Sequence, residues 1–191
     1  MKILREVGIV ILIFVAVFVL LRLTIQTYTV VMSSMEPNFQ EGECIIVNKV
    51  IYRSSDPRRG EVIIFTPPFD SSHPFIKRVI GLPGETVEIR DGKVFINGTP
   101  LDEEYVMTPP GYTMPATEVP ENEYFVLGDN RNNSNDSHTG WTVPRNNIIG
   151  KAWFTYWPPS KWGVVKHYSY PELPETEGQE TVLCLSPGGA T

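Results

Sequence analysis

Residues 85–98, ETVEIRDGKVFING, alternate apolar and polar side chains on either side of Asp91-Gly92. Alternation is the period of a strand, and Asp-Gly tolerates positive φ at both turn positions, so the stretch predicts a β-hairpin closed by a type I′ turn. Asn97-Gly98 marks the next turn. Working outward, residues 42–51 (GECIIVNKVI), 60–65 (GEVIIF) and 75–80 (FIKRVI) are short apolar, β-branched runs bounded by Gly and Pro, the pattern of core strands. Residues 123–127 and the aromatic run 148–157 (IIGKAWFTYW) read as two more. Residues 103–122, rich in Pro, Thr and Glu, carry no apolar periodicity and read as an irregular loop or small cap. After Pro158-Pro159 the chain turns proline-rich and acidic, and residues 167–191 read as a poorly ordered tail. The expectation is an all-β, antiparallel domain.

The N-terminus is different in kind. Residues 8–21 are all apolar or Gly, and Leu23 and Ile25 prolong the run past Arg22. About eighteen residues at 1.5 Å each span about 27 Å, close to a bilayer's hydrocarbon core, so one transmembrane helix precedes the β domain. The run exceeds the h-region of a cleaved leader, and no small-x-small site follows it, which favours an anchor that stays attached. Lys2 and Arg5 ahead of it put the N-terminus in the cytoplasm and the rest outside a cytoplasmic (inner) membrane, in a single pass. The expected divisions are a stub and anchor at 1–25, a β domain in two parts at 26–83 and 123–166, a hairpin and cap at 84–122, and the tail.

Charge and cysteine content exclude several functions. Lys and Arg number 16 against 22 Asp and Glu, a net charge of -6, the wrong sign for tracking phosphate backbones, so nucleic acid is not an expected partner. Two cysteines, Cys44 and Cys184, make neither a disulfide framework nor a metal cluster; no metal or cofactor is implied. Cys44, in an apolar run, reads as a small buried hydrophobe.

A search for a nucleophile finds no G-x-S-x-G elbow and no S-x-x-K box. A Ser-His-Asp triad with His138 as base stays open, while His73 and His167 fall in loop or tail. Four blocks stand out. They are Ser33-Ser34-Met35-Glu36-Pro37 just after the apolar run, RGEVIIF at 59–65, FIKRVIGLPGE at 75–85 and GDNRNNSNDS at 128–137. Taken singly each has a bland reading as turn, surface charge or polar loop. Together, in order and spacing and with the anchor upstream, they resemble the motif boxes of bacterial type I signal peptidase, also called leader peptidase.

That resemblance implies Ser34 as nucleophile and Lys77 as general base, the latter usable only if its pKa falls from about 10.4 towards 7 to 8 by burial. Strand alternation turns Lys77 and Arg78 to opposite faces, and arginine cannot serve as base at all. By the same resemblance Ser134 hydrogen-bonds and orients the lysine amine, Asp136 pairs with Arg78, and Asp129 supports the site. Three positions depart from the family pattern: His138 stands where an arginine is usual, Asn38 replaces a threonine, and Met32 occupies the place of a serine that donates to the oxyanion in some relatives. The implied substrate is the signal peptide of a secreted preprotein, bound as an extended strand with small residues at the first and third positions before the cut. Val30, Met35, Phe39 and Phe75 are expected near the first pocket, and Tyr28, Ile45, Ile64 and Ile76 near the other. Membrane lipids are the second expected partner, with Trp157 and Trp162 as an exposed aromatic patch at the interface and Trp153 more at home in the core. Two rival readings are a soluble self-cleaving protease of the repressor type and a non-catalytic, membrane-anchored extracytoplasmic β module for adhesion or assembly.

Overall fold

A computed structural model of the chain describes residues 2–170 and 173, without the side chains of Lys2 and Leu4. Helix α1, Lys2–Thr24, opens the chain. Its segment Arg5–Thr24 has a mean hydropathy of 2.9 and is wholly unburied, and among the described residues it alone is long and apolar enough to cross a membrane. The helix ends one residue earlier than the apolar run, because Ile25 already pairs with Asn48 in a sheet. Lys49 N–H donates to Thr24 O at 2.9 Å and ties the helix end to the β domain.

Twelve strands follow: β1 Ile25–Thr29, β2 Cys44–Asn48, β3 Val62–Phe65, β4 Phe75–Gly81, β5 Thr86–Arg90, β6 Lys93–Ile96, β7 Thr99–Pro100, β8 Met114–Glu118, β9 Glu123–Leu127, β10 Val143–Pro144, β11 Ile148–Trp157 and β12 Gly163–Val164. The large sheet runs β1-β2-β11-β3-β4-β9-β10, with β12 also paired to β11; the small sheet runs β7-β6-β5-β8. Every pairing is antiparallel. The hairpin β5–β6 pairs Arg90 with Lys93, and Asp91 and Gly92 have φ of 51° and 71°, as a type I′ turn requires.

Strand β4 holds the molecule together because it is buried on both faces from Lys77 to Gly81. Ile80 joins the cluster under the small sheet, with Val87, Ile89 and Leu127; Val79 joins Phe65, Val126 and Val143; Ile76 packs against a third cluster containing Val30, Ile45 and Ile64. Truncating a fully buried isoleucine such as Ile80 to Ala costs about 2–5 kcal/mol.

Two expectations about irregular chain are corrected. Within residues 103–122, Met114–Glu118 forms β8 along the edge of β5. Only Met114 of its five residues is buried, so no apolar alternation announced it, and its Pro115 suits an edge where one N–H need not pair. The supposed tail is not loose at its start. His167 Nδ1 accepts from Val62 N–H at 3.2 Å, Tyr168 N–H donates to Gly60 O at 3.3 Å, and Tyr170 is buried. The remainder of 167–191, Cys184 included, lies outside the described residues apart from Leu173. Cys44 is free and only half-buried, at the start of β2 beside Thr29, rather than a core residue.

Candidate active site

Between β1 and β2 the chain leaves the sheet as a loop pinched at its base, where Val30 N–H donates to Glu43 O and Gly42 N–H to Val30 O, both at 2.8 Å. At the loop's start Ser33–Met35 forms a single 3-10 turn, and the following Glu36, in extended conformation before Pro37, ends it. This turn separates the neighbouring serines. Ser34 is buried, while Ser33 is half-exposed and its Oγ accepts from Asn133 Nδ2 at 2.9 Å.

The block at 128–137 holds the turn from behind. Asn130 donates to Ser34 O from its backbone N–H (3.0 Å) and to Ser33 O from its side chain (3.1 Å). A Cβ at Gly128 would stand 2.4 Å from Ser34 O and 2.3 Å from Ser134 Oγ, so only glycine lets the two segments approach.

Lys77 reaches the same turn from β4. Its Nζ lies 2.6 Å from Ser34 Oγ and 3.1 Å from Ile76 O, and the residue is 1% exposed. Burial pushes the amine down to about 8, against the opposing pull of the Asp136 and Asp129 carboxylates. Near neutrality an appreciable fraction of the amine is therefore uncharged, with a lone pair facing a hydroxyl.

Arg78 points to the other face, as alternation along β4 requires. Its Nε and Nη2 donate to Asp129 Oδ1 and Oδ2 at 2.8 and 2.7 Å, a fork held where both partners are almost fully buried. The expected pair with Asp136 is not formed. Arg78 stands opposite Leu127 in the β4–β9 register, so the carboxylate two residues beyond, Asp129, is the one that meets it. Asp136 instead turns back on its own loop: one oxygen accepts from Gly128 N–H at 2.9 Å, and the other from His138 N–H at 3.2 Å with His138 Nδ1 at 2.6 Å. His138, engaged there and stacked on Tyr112 with centroids 4.1 Å apart, makes no hydrogen bond to Ser34 among the described residues, which leaves the triad alternative without its base.

Ser134 departs from expectation as well. Its Oγ is buried beside Gly128 with no hydrogen-bond partner among the described residues, and the lysine amine uses Ile76 O instead. Arg131, from the same block, was missed as a structural element. It is 1% exposed, donates to both oxygens of Glu103 at 2.6 and 2.7 Å and from Nε to Gly128 O at 3.0 Å. Nothing local pointed to a partner 28 residues upstream in an irregular loop.

A narrow, mainly apolar slot of about 60 Å³ opens beside Ser34 and Lys77. Tyr28, Val30, Ile45, Ile64, Phe75 and Ile76 line it, six of the eight residues expected there, and Met32 flanks them without offering a donor. Met35 and Phe39 are corrected: both are buried in the cluster beneath the slot, because the 3-10 turn sends Met35 inward as it presents Ser34. Ser34 also borders an open polar trough walled by Ser33, Asn132, Asn133, Ser134 and Asn135.

Residues 3–157 match the family model described as "Signal peptidase, peptidase S26". The chain belongs to the signal peptidase family. Among its relatives, a Leptolyngbya laminosa protein named "Signal peptidase I" is 47% identical over 68% of this chain and 68% of its own. A Synechocystis sp. protein named "Probable signal peptidase I-1" is 46% identical over 72% of this chain and 74% of its own. Staphylococcus aureus (strain COL) "Signal peptidase IB" is 31% identical over 83% and 90%. In this family member a serine hydroxyl, a buried amine and a small apolar slot thus lie side by side. The further boxes have structural tasks here. Arg59 and Glu85, from two different boxes, form a buried pair at 2.5 Å that clamps the start of β5 to the segment before β3.

Proposed function

We propose that this chain is a membrane-anchored serine endopeptidase that removes N-terminal signal peptides from secreted preproteins, with Ser34 as nucleophile and neutral Lys77 as general base. The observation that carries this reading is the 2.6 Å approach of a buried, charge-averse amine to the Ser34 hydroxyl. A lysine without such a task is rarely sealed in a protein interior, since burying an ammonium costs several kcal/mol. The rival of a non-catalytic β module leaves this burial without a reason.

In the proposed reaction the neutral amine accepts the Ser34 proton as Oγ attacks the scissile carbonyl. The resulting ammonium returns that proton to the departing amine of the mature protein, and water attacks the acyl-enzyme with Lys77 again as base. The small side chains before the cut occupy the slot. Backbone N–H of Ser34 supports the oxyanion, and the unpartnered Ser134 hydroxyl has donor capacity to spare for the amine or for a water beside it. Asp129, Arg78 and Asp136 act by holding the two loops in register.

The same reading places α1 in the cytoplasmic membrane, with the N-terminus inside and the catalytic domain on the extracytoplasmic face, for which Lys2 and Arg5 argue. Ser34 is ten residues from Thr24, where the helix ends, within about 36 Å of it even for a fully extended chain, so cleavage takes place close to the lipid. The test is incubation of the detergent-solubilised full chain with a preprotein, beside Ser34→Ala and Lys77→Ala. Each variant is expected to abolish cleavage, and the double variant to be no worse than either, because the two groups act as one unit. Cleavage by either single variant would overturn the assignment.

A further inference from the structure

Residues 165–170 form a strap past the start of β3 and over Arg78 of β4, outside the stretch 3–157 that the family model matches. It is laid down by backbone. Val165 N–H donates to Trp153 O at 2.9 Å and Tyr168 N–H to Gly60 O at 3.3 Å, while His167 takes the N–H of Val62. Burial, helped by the Lys151 and Arg78 charges, holds the His167 ring down at about 4, so it docks as the neutral acceptor. At the crossing point a Cβ on Gly60, whose φ is +82°, would lie 2.0 Å from Tyr168 O. Backbone passes so close to backbone here that no side chain fits between.

What the strap covers is Arg78. Its Nη1 donates to Gly60 O at 2.8 Å and to the strap's Lys166 O at 3.2 Å. Its guanidinium carbon lies 5.0 Å from the Tyr168 ring and 4.2 Å from the Tyr105 ring, and the two rings lean on each other with centroids 4.7 Å apart. Tyr170 secures that platform from the side, its hydroxyl 2.7 Å from that of Tyr105, which also donates to Glu103 at 2.7 Å. Arg78 thus spends Nε and Nη2 on Asp129 and Nη1 on the strap, and its flat face on two tyrosines.

We infer that the strap, through Tyr168 and Tyr170, is a positioning element of the active site: it holds Arg78 on Asp129, and so controls how much negative charge Lys77 feels. The inference rests on the Ser34–Lys77 reading. Asp129 and Asp136 are the two carboxylates that favour the charged form of Lys77. Asp129 is neutralised by the Arg78 fork and also accepts from Asn38 Nδ2 at 2.9 Å, just past the nucleophile turn. If Arg78 loses its platform, the fork loosens and Asp129 acts on the lysine with less of its charge compensated. The amine then holds its proton to higher pH, and the acid limb of the rate profile moves with it.

The experiment measures kcat and KM for preprotein cleavage from pH 6 to 10 with the full chain, Tyr168→Leu, Tyr168→Phe and Tyr170→Phe, beside Ser34→Ala. Tyr168→Phe keeps the ring and is expected to track the wild type. Tyr168→Leu is expected to lose about three- to tenfold in kcat at pH 7, to recover most of that by pH 10, and to keep its KM, since about half to one unit in the limb is that factor. Tyr170→Phe is expected to shift the limb the same way by less, and it decides the matter should the leucine variant fail to fold. General loosening of the fold would lower activity equally at every pH. A limb that stays in place in every folded strap variant overturns the inference, whereas cleavage by Ser34→Ala would instead overturn the dyad on which it rests.

Discussion

Exchanging Lys77 for methionine keeps an unbranched side chain of similar length and removes only the ionisable end. In the folded protein burial holds the amine at about 8, against 10.5 for the unperturbed group. A shift of about 2.5 units at about 1.4 kcal/mol each makes the penalty for a charged Lys77 about 3 kcal/mol. Below pH 8 the amine is protonated in both folded and unfolded chains, and the fold carries that whole penalty. Between about 8 and 10.5 the unfolded chain binds the extra proton, so stability rises with pH. Urea unfolding of the solubilised wild type and Lys77→Met, followed by tryptophan fluorescence from pH 7 to 10.5, isolates this effect. Taking the difference cancels groups common to both chains, among them Tyr124, which burial raises to about 12. Wild-type stability relative to the variant is expected to climb by about 3 kcal/mol across the range. At pH 7 the variant should be the more stable protein, by that amount less about 1 kcal/mol for the lost hydrogen bond to Ser34. Parallel curves would refute the argument, since they would mean that the site does not disfavour the ammonium. The same quantity governs activity: at pH 7 about one amine in ten is neutral, against about one in three thousand for an exposed lysine. Cleavage should therefore rise with pH through about 8, and Lys77→Arg should be inactive at every pH.

Ser33→Ala is expected to retain most of its activity, because it removes only an exposed bond to Asn133, while Ser34→Ala is inactive yet folded; the opposite outcome in a preprotein assay would displace the nucleophile. Gly128→Ala is expected to abolish cleavage and to cost about 1–3 kcal/mol in urea unfolding, from a Cβ forced to within 2.4 Å of Ser34 O; unchanged stability and activity would show that the two loops do not depend on that contact. Trp157 and Trp162 are 54% and 66% exposed, and Trp153, expected in the core, is also exposed at 51%. A chain lacking residues 1–24 should still co-sediment with lipid vesicles, and Trp157→Ala with Trp162→Ala should weaken that binding; no binding by the unmutated truncation would refute the patch.

Much here was legible one segment at a time. The N-terminal helix follows from eighteen or so consecutive apolar residues, and the β5–β6 hairpin from alternation around a dipeptide that accepts positive φ. That Ser34 and Lys77 belong to one site was legible in their boxes, and apolar residues around Lys77 already promised its burial. What the residues could not reveal was which groups meet across the fold. Arg78 takes Asp129 and not Asp136 because the β4–β9 register puts that carboxylate, 51 residues away, within reach, while Asp136 is drawn into its own turn by Gly128 and His138. Met35 and Phe39, which the resemblance put in the pocket, sit under it because the 3-10 turn and the loop after it send them into the core. The strap over Arg78 was hidden in a segment whose composition looks loose, since its hold comes from backbone bonds to Gly60 and Trp153 and from aromatic faces. Local propensity is written in neighbouring residues, whereas these contacts join residues far apart in the chain and exist only once strand register and loop packing bring them together.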